Sequence, residues 1–214
     1  MIDCAAAVSF CDTHLSTAMW DNGRNVYDIT KLCLGANCYL EGDAIATYLT
    51  NSTTRTLLGV DPAVPTPFVG CSDAVSAQFV SHLDKWAVPN HYYVASLLER
   101  GVRVLIYAGT LDWQCNWVAN RMWVDKLEWS GARRWGELKW ADWGYSVKGK
   151  KAGEVKQAES VPLAFVTLYG AGHLMSVFIA FFVRNLLTEA FYVPHDVPEE
   201  SLEMFSAWLD GRLL

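Results

Sequence analysis

Two residues in the second half of this sequence, Asp112 and His173, have the types and the surroundings that acid-base chemistry needs. Asp112 lies in the segment 107–116, YAGTLDWQCN, and His173 ends the segment 169–173, YGAGH. A carboxylate that accepts a hydrogen bond from an imidazole fixes the tautomer of the ring and stabilises its charged form. The ring can then take a proton from a nucleophile. Asp112 and His173 therefore provide two of the three members of a catalytic triad.

Each of these residues follows a short apolar run that is typical of a strand buried on both faces of a parallel sheet. The runs extend from Val102 to Tyr107 and from Leu163 to Tyr169. Ligands of open α/β sheets bind at the carboxyl ends of the strands, so the acid and the histidine are expected at neighbouring strand ends. Acid before histidine is also the order in α/β-hydrolases. We predict an α/β protein with an incomplete α/β-hydrolase fold: distal strands and helices of the central sheet plus a cysteine-containing insertion segment.

The third member of a triad, the nucleophile, has no candidate with the expected motif. A nucleophile elbow has the pattern G-x-S-x-G, because the strained turn between strand and helix needs a glycine on both sides of the serine. The nearest match, around Ser146, lacks the second glycine and follows Asp112 in the chain, whereas hydrolases place the serine before the acid. We therefore do not assign Ser146 as a nucleophile.

Periodicity and helix breakers predict the elements around these residues. The predicted helices cover 41–49, 53–60, 91–100 and 116–127, with a proline-rich connection at 61–67. Residues 135–160 alternate aromatic and polar side chains around two glycines, which favours hairpin strands. A closing helix follows Asp196-Val197-Pro198-Glu199, which resembles a capping box with proline in the first turn.

Composition limits the classes of partner. The chain has 214 residues, 52% of them hydrophobic, and ten tryptophans, enough for one sizeable core. Its net charge of −6 argues against a nucleic-acid surface. The apolar segment at 174–192 contains too many polar residues for a membrane helix, which needs about 20 predominantly apolar residues. We predict no nucleic-acid partner and no membrane partner.

The six cysteines and one sequon bear on the compartment. If all six cysteines are bridged, fifteen different sets of three disulfides are possible. The single pair that is easiest to close is Cys33 with Cys38. Zinc ligation is disfavoured because no second pair with ligand spacing completes a site, so we predict no metal and no cofactor. The cysteines and the sequon at Asn51 favour the secretory route, whereas the first residues, taken literally, lack a secretory signal and predict a cytosolic chain.

The ordered motifs of the chain resemble those of the serine carboxypeptidase family. They are the cysteines at 4, 11, 33 and 38, the string G-x-N-x-Y-D at 23–28, the strings VLIYAG at 104–109, CNW at 115–117 and AGEVK at 152–156, GH at 172–173, and VP at 193–194 followed by D, P and E at 196, 198 and 199. The matches extend almost from one end of the chain to the other. The resemblance implies the C-terminal part of a single serine carboxypeptidase domain, with a cap-like insertion segment at 1–70 and a distal core at 91–214.

The resemblance also implies roles for individual residues. Asp112 corresponds to the acid of the triad, His173 to the base, and Cys115 to a cysteine that contacts bound substrate. Cys33 and Cys38 correspond to a disulfide. The implied activity is release of C-terminal amino acids from peptides, in a vacuolar or secreted protein. The chain is expected to be inactive alone, since the family's serine elbow and oxyanion-hole donors belong to the other half of the domain. Other hydrolase chemistry, such as acyl transfer or ester hydrolysis, and a non-catalytic role stay open.

The sequence departs from the family pattern in two places near the predicted site. Thr110 stands where the family has the first aspartate of an Asp-x-Asp string. The segment 174–192 stands where the family has a single residue between the histidine and Val-Pro, an atypical insertion of about 19 residues. We interpret it either as a translated intron or as a loop that bulges over the cleft.

Overall fold

The computed structural model describes residues 2–35, 38–82, 89–145, 149–175 and 196–214. The helices in these ranges are α1 (Ile2–Cys11), α2 (Thr17–Asp21), α3 (Leu40–Thr50), α4 (Ser52–Leu57), α5 (Asp73–Ser81), α6 (His91–Glu99), α7 (Trp117–Asp125), α8 (Ala132–Glu137) and α9 (Pro198–Leu209). The strands are β1 (Arg24–Asn25), β2 (Asp28–Leu32), β3 (Val104–Gly109), β4 (Ala141–Tyr145), β5 (Lys151–Ala158) and β6 (Val161–Leu168). The chain divides into two compact units. The predicted α/β class is confirmed.

The first unit comprises Met1–Val26 and Lys31–Pro89, and its described residues are mainly helical. A π-helical turn, Asp12–Ser16, connects α1 to α2. Cys33 and Cys38 are joined by a disulfide in the segment before α3. Asn51 caps α4, because its side-chain oxygen accepts hydrogen bonds from the backbone N–H groups of Thr53 and Thr54 at 2.9 and 3.3 Å.

The second unit comprises Tyr27–Thr30 and Asn90–Leu214, and it contains a four-stranded sheet in the order β3-β6-β5-β4. The strands β3 and β6 are parallel, with Val104 opposite Leu163 and Gly109 opposite Leu168. The other two pairs are antiparallel, so the sheet is mixed. The two apolar runs before Asp112 and His173 are therefore neighbouring parallel strands, as predicted, and their carboxyl ends lie side by side.

Both faces of this sheet are covered, because the side chains of β6 alternate between two apolar clusters. Leu163 and Phe165 pack with residues of α6, α7 and α8. Val166 and Leu168 pack on the opposite face with Met204 of α9. The continuous apolar sequence of β6 thus reflects burial on both faces, which is the reason it gave a strong strand signal.

One element differs from its prediction. Residues 135–137 belong to α8 and not to a hairpin strand, and the antiparallel pair begins only at Ala141. Burial of Trp135 explains the helix: its indole N–H donates to Asp125 at 2.8 Å, and its ring lies 4.4 Å from the ammonium of Lys156. These contacts come from α7 and β5, so the local alternation of aromatic and polar residues does not reveal them.

Phe165 is fully buried and contacts the ring of Trp140 edge-on, with centroids 5.4 Å apart. We expect Phe165→Ala to lower the free energy of unfolding by about 3–5 kcal/mol, because it removes buried apolar surface and leaves a cavity. Urea denaturation followed by tryptophan fluorescence measures this change. Phe79→Ala serves as the control, since Phe79 is 54% exposed and its loss should change stability by less than about 0.5 kcal/mol. Equal effects of the two substitutions would contradict this account of the core.

The chain around α9 gives a second correction. The helix begins at Pro198 with Val197 at the cap position, so the prediction that Asp196 opens a capping box is wrong. The insertion at 174–192 lies outside the described residues except for its first two positions, where His173–Met175 form a 3-10 turn. Among the described helices, none is both long enough and apolar enough to cross a membrane.

Candidate active site

Asp112 lies in the loop that follows β3, where backbone bonds tie it to the neighbouring loop after β6. The N–H of Thr110 donates to Leu168 at 2.9 Å, and the N–H of Leu111 donates to Ala171 at 2.9 Å. These two bonds hold the loop after β3 against the loop after β6, beyond the ends of the two strands. As a result, Asp112 is only 5% exposed although it belongs to a loop.

The carboxylate of Asp112 holds two neighbours at once. Its Oδ2 lies 2.9 Å from Nδ1 of His173, and its Oδ1 accepts the backbone N–H of Cys115 at 2.9 Å. The acid and the histidine predicted from sequence are thus brought within hydrogen-bonding distance. The carboxylate is buried, whereas 26% of the His173 side chain stays accessible. This is the arrangement in which a carboxylate orients an imidazole toward a reacting group.

Two glycines allow the loops to come this close. A Cβ on Gly109 would collide with the carbonyl oxygen of Ala171, and a Cβ on Gly172 would collide with the carbonyl oxygen of Tyr27. The segment with Tyr27 contacts both loops: the N–H of His173 donates to Tyr27 at 2.7 Å, and the N–H of Ile29 donates to Leu111 at 3.1 Å. Three backbone segments therefore support the pair of side chains.

The electrostatic environment of His173 favours its charged form. Its pKa is raised to about 10, mainly by the hydrogen bond to Asp112 and to a smaller extent by the nearby Cys115, while burial acts in the opposite direction. The ring also contacts the Tyr27 ring, with centroids 5.1 Å apart. The hydrogen bond to the Asp112 carboxylate is therefore the main factor that stabilises the charged imidazole.

Cys115 is exposed next to this pair, and one ligand atom each from Asp112, Cys115 and His173 lies within 4.8 Å of the other two. Oxygen, nitrogen and sulfur ligands in such a group are close enough for a divalent cation. A tetrahedral zinc with bonds of about 2.0–2.1 Å, however, holds two of its ligand atoms roughly 3.3 Å apart. The 2.9 Å between Oδ2 and Nδ1 fits a shared proton better.

The other residues that the sequence analysis considered lie in the first unit or outside the described residues. Cys33, Cys38 and Asn51 belong to the first unit and not to the unit that holds Asp112 and His173. Ser146 lies outside the described residues. Sequence reasoning missed the supporting residues Tyr27 and Asp196. Tyr27 and Asp196 appeared only as members of family motifs, and Asp196 was in addition assigned to a helix cap.

An acid and a histidine joined at the carboxyl ends of neighbouring parallel strands are typical of the distal part of an α/β-hydrolase. A sequence model described as serine carboxypeptidase matches residues 2–211 of the chain. The chain belongs to the serine carboxypeptidase family.

Individual relatives agree with this assignment. The chain is 35% identical over 209 residues to carboxypeptidase Y of Komagataella phaffii, and the aligned region covers 97% of the chain and 35% of that protein. It is 33% identical over 214 residues to carboxypeptidase Y homolog A of Arthroderma gypseum, with 98% and 35% covered. The chain thus spans about a third of the length of these relatives.

The solved structure is that of Kex1(delta)p, a prohormone-processing carboxypeptidase from Saccharomyces cerevisiae. The similarity has a TM-score of 0.58 at 20% identity, and it covers 70% of this chain and 32% of that chain. At this identity the similarity shows the shared fold alone.

Proposed function

We propose that this chain supplies the acid and the base of a serine-type carboxypeptidase, which releases C-terminal amino acids from peptides. The observation that carries the proposal is the 2.9 Å hydrogen bond between the buried Asp112 and the partly accessible His173 at adjacent strand ends. In this proposal the nucleophilic serine and the oxyanion-hole donors come from another segment, because no serine of this sequence lies in a G-x-S-x-G motif. Alone, the chain is expected to have no peptidase activity, because its base has no nucleophile to activate.

The proposed reaction follows from the orientation of the imidazole. With Nδ1 bonded to Asp112, Nε2 takes the proton of the serine as the oxygen attacks the carbonyl carbon of the last peptide bond. The imidazolium then protonates the departing amine, and the acyl-enzyme is hydrolysed by water that His173 activates in the same way. Cys115, exposed beside the ring, contacts the bound substrate in this proposal.

The test is activity of the joined protein, meaning this chain expressed together with a segment that carries the proposed nucleophilic serine and oxyanion-hole donors. Incubation with a blocked dipeptide should release the C-terminal amino acid. His173→Ala should abolish the release. Turnover of esters without turnover of peptides would favour other hydrolase chemistry, and absence of both activities would favour a non-catalytic role.

We further propose that the protein is vacuolar or secreted and carries a glycan on Asn51. The side chain of Asn51 lies at the exposed start of α4, where its oxygen caps the helix. Expression through a eukaryotic secretory pathway should add a glycosidase-sensitive mass that both Asn51→Asp and Thr53→Ala remove. Asn51→Asp keeps an oxygen for the cap, and Thr53→Ala keeps Asn51 itself. Ser52→Ala leaves the sequon intact and should keep the added mass. The assignment would be contradicted if the glycosidase-sensitive mass were the same in all three variants as in the unsubstituted protein.

A further inference from the structure

Asp196, 23 positions after His173, contacts the backbone directly before the candidate base. Its Oδ2 accepts the N–H of Gly172 at 2.8 Å, across a separation of 24 residues in sequence. The two residues lie on either side of the insertion at 174–192. A carboxylate acceptor makes this bond stronger than one between neutral groups. The bond therefore joins the chain before and after the insertion next to His173.

The backbone at this point is held from two sides. The N–H of Gly172 donates to Asp196, and the next N–H along the chain, that of His173, donates to Tyr27. Gly172 has no free space around it, because a Cβ there would also lie 3.1 Å from Asp28 and 3.2 Å from the Asp196 carboxylate. These contacts constrain the position of the His173 Cα, from which the imidazole reaches Asp112.

The simpler role for Asp196 is that of a helix cap, and the start of α9 does not support it. Val197 occupies the cap position, and Pro198 at the first helical position has no N–H to be capped. We propose that Asp196 is a positioning residue for His173, which acts through the peptide group of Gly172. This inference deepens the proposed function and rests on it for its consequence in catalysis.

A measurement that needs no enzymatic activity tests the positioning itself. The Nδ1 proton between His173 and Asp112 is expected to give a far-downfield NMR resonance if it is protected from exchange, and this resonance can be sought in the whole 214-residue chain. We expect Asp196→Ala to broaden or abolish this resonance at a temperature where the variant is still folded. Asp196→Asn keeps an acceptor oxygen and should retain the resonance.

The control is Asp210→Ala at the other end of α9. Asp210 is an exposed carboxylate paired with Arg212, and its loss should leave the resonance unchanged. If Asp196→Ala does not fold, Asp196→Glu is tested in its place. The extra methylene of glutamate displaces the acceptor oxygen but keeps the charge, so the resonance should weaken. A folded Asp196→Ala variant that keeps the resonance of the original chain would overturn the proposal. The proposal would also be overturned if Asp196→Asn lost the resonance as completely as Asp196→Ala.

The joined protein tests the consequence for catalysis. A displacement of about 1 Å at a catalytic group can cost roughly a hundredfold in rate. We expect Asp196→Ala to lower kcat by about 10–100-fold with little change in KM, and Asp196→Asn to restore most of the rate. A changed resonance in a joined protein without peptidase activity would contradict the proposed function and leave the positioning role supported. An unchanged kcat would contradict the role of Asp196 in catalysis.

Discussion

Replacement of Asp112 by asparagine is expected to lower kcat for the release of C-terminal amino acids by the joined protein by about 10⁴-fold, the loss found when a triad acid is replaced by its amide. The carboxylate accepts the Nδ1–H of His173 at 2.9 Å, and this fixes the tautomer in which Nε2 can accept a proton. An amide nitrogen facing Nδ1 would donate and select the opposite tautomer. Steady-state kinetics on a blocked dipeptide measure the effect.

The structure offers a matched control for this substitution. Asp142 is a 61% exposed carboxylate paired with Lys151, so Asp142→Asn should leave kcat within a few-fold of the original value. Asp112→Asn keeps an oxygen that can accept the Cys115 N–H. We therefore expect its free energy of unfolding near neutral pH to fall only by the contribution of the lost ion pair with His173. A variant that retains a tenth or more of the original rate would contradict the assigned role.

A second variant tests whether the two residues act as one unit. His173→Ala should cost at least as much as Asp112→Asn, because it removes the base itself. The double variant should lose little beyond His173→Ala alone, since the acid acts only through the imidazole and such effects are not additive. Losses that multiply in the double variant would show that Asp112 acts independently of His173.

The sequence predicted the parts of the fold that depend on short-range patterns. The apolar runs before Asp112 and His173 became β3 and β6, because strands buried on both faces have continuous apolar sequences. Parallel pairing then brought their carboxyl ends together without any further signal. The central geometry of the candidate site followed from these two steps.

The contacts that hold the site could not be predicted in the same way. The bond from Gly172 to Asp196 spans 24 residues, and the bond from His173 to Tyr27 spans most of the chain. Neither has a local periodicity, and the pattern around Asp196 fits a helix cap equally well. α8 was missed for a related reason, since contacts of Trp135 with α7 and β5 stabilise it.

The stability of the chain is expected to fall by a few kcal/mol as the pH rises from about 7 to about 10. Folding raises the pKa of His173 from about 6.5 to about 10, chiefly through the hydrogen bond to Asp112. A raised pKa means that the folded chain binds the proton more tightly than the unfolded chain. The contribution is therefore fully present below about pH 6.5, and it is lost as the pH rises toward the folded pKa.

Urea denaturation at several pH values, with Asp112→Asn as the reference, isolates this contribution from other groups that titrate near pH 10. The free energy of unfolding of Asp112→Asn should depend much less on pH in this range, because its imidazole lacks the carboxylate. An NMR titration should give a pKa near 10 for His173 in the original chain and a lower value in the variant. Parallel pH dependences for the two proteins would contradict this prediction.

The same pKa has a consequence for catalysis. A general base must be neutral to accept a proton, and a pKa of about 10 leaves the imidazole charged at neutral pH. Burial already acts to lower this pKa, and 26% of the side chain is still exposed to water. A segment that covers the ring would strengthen the effect of burial. We therefore expect the pH profile of kcat/KM in the joined protein to report a pKa for His173 well below its value in this chain alone.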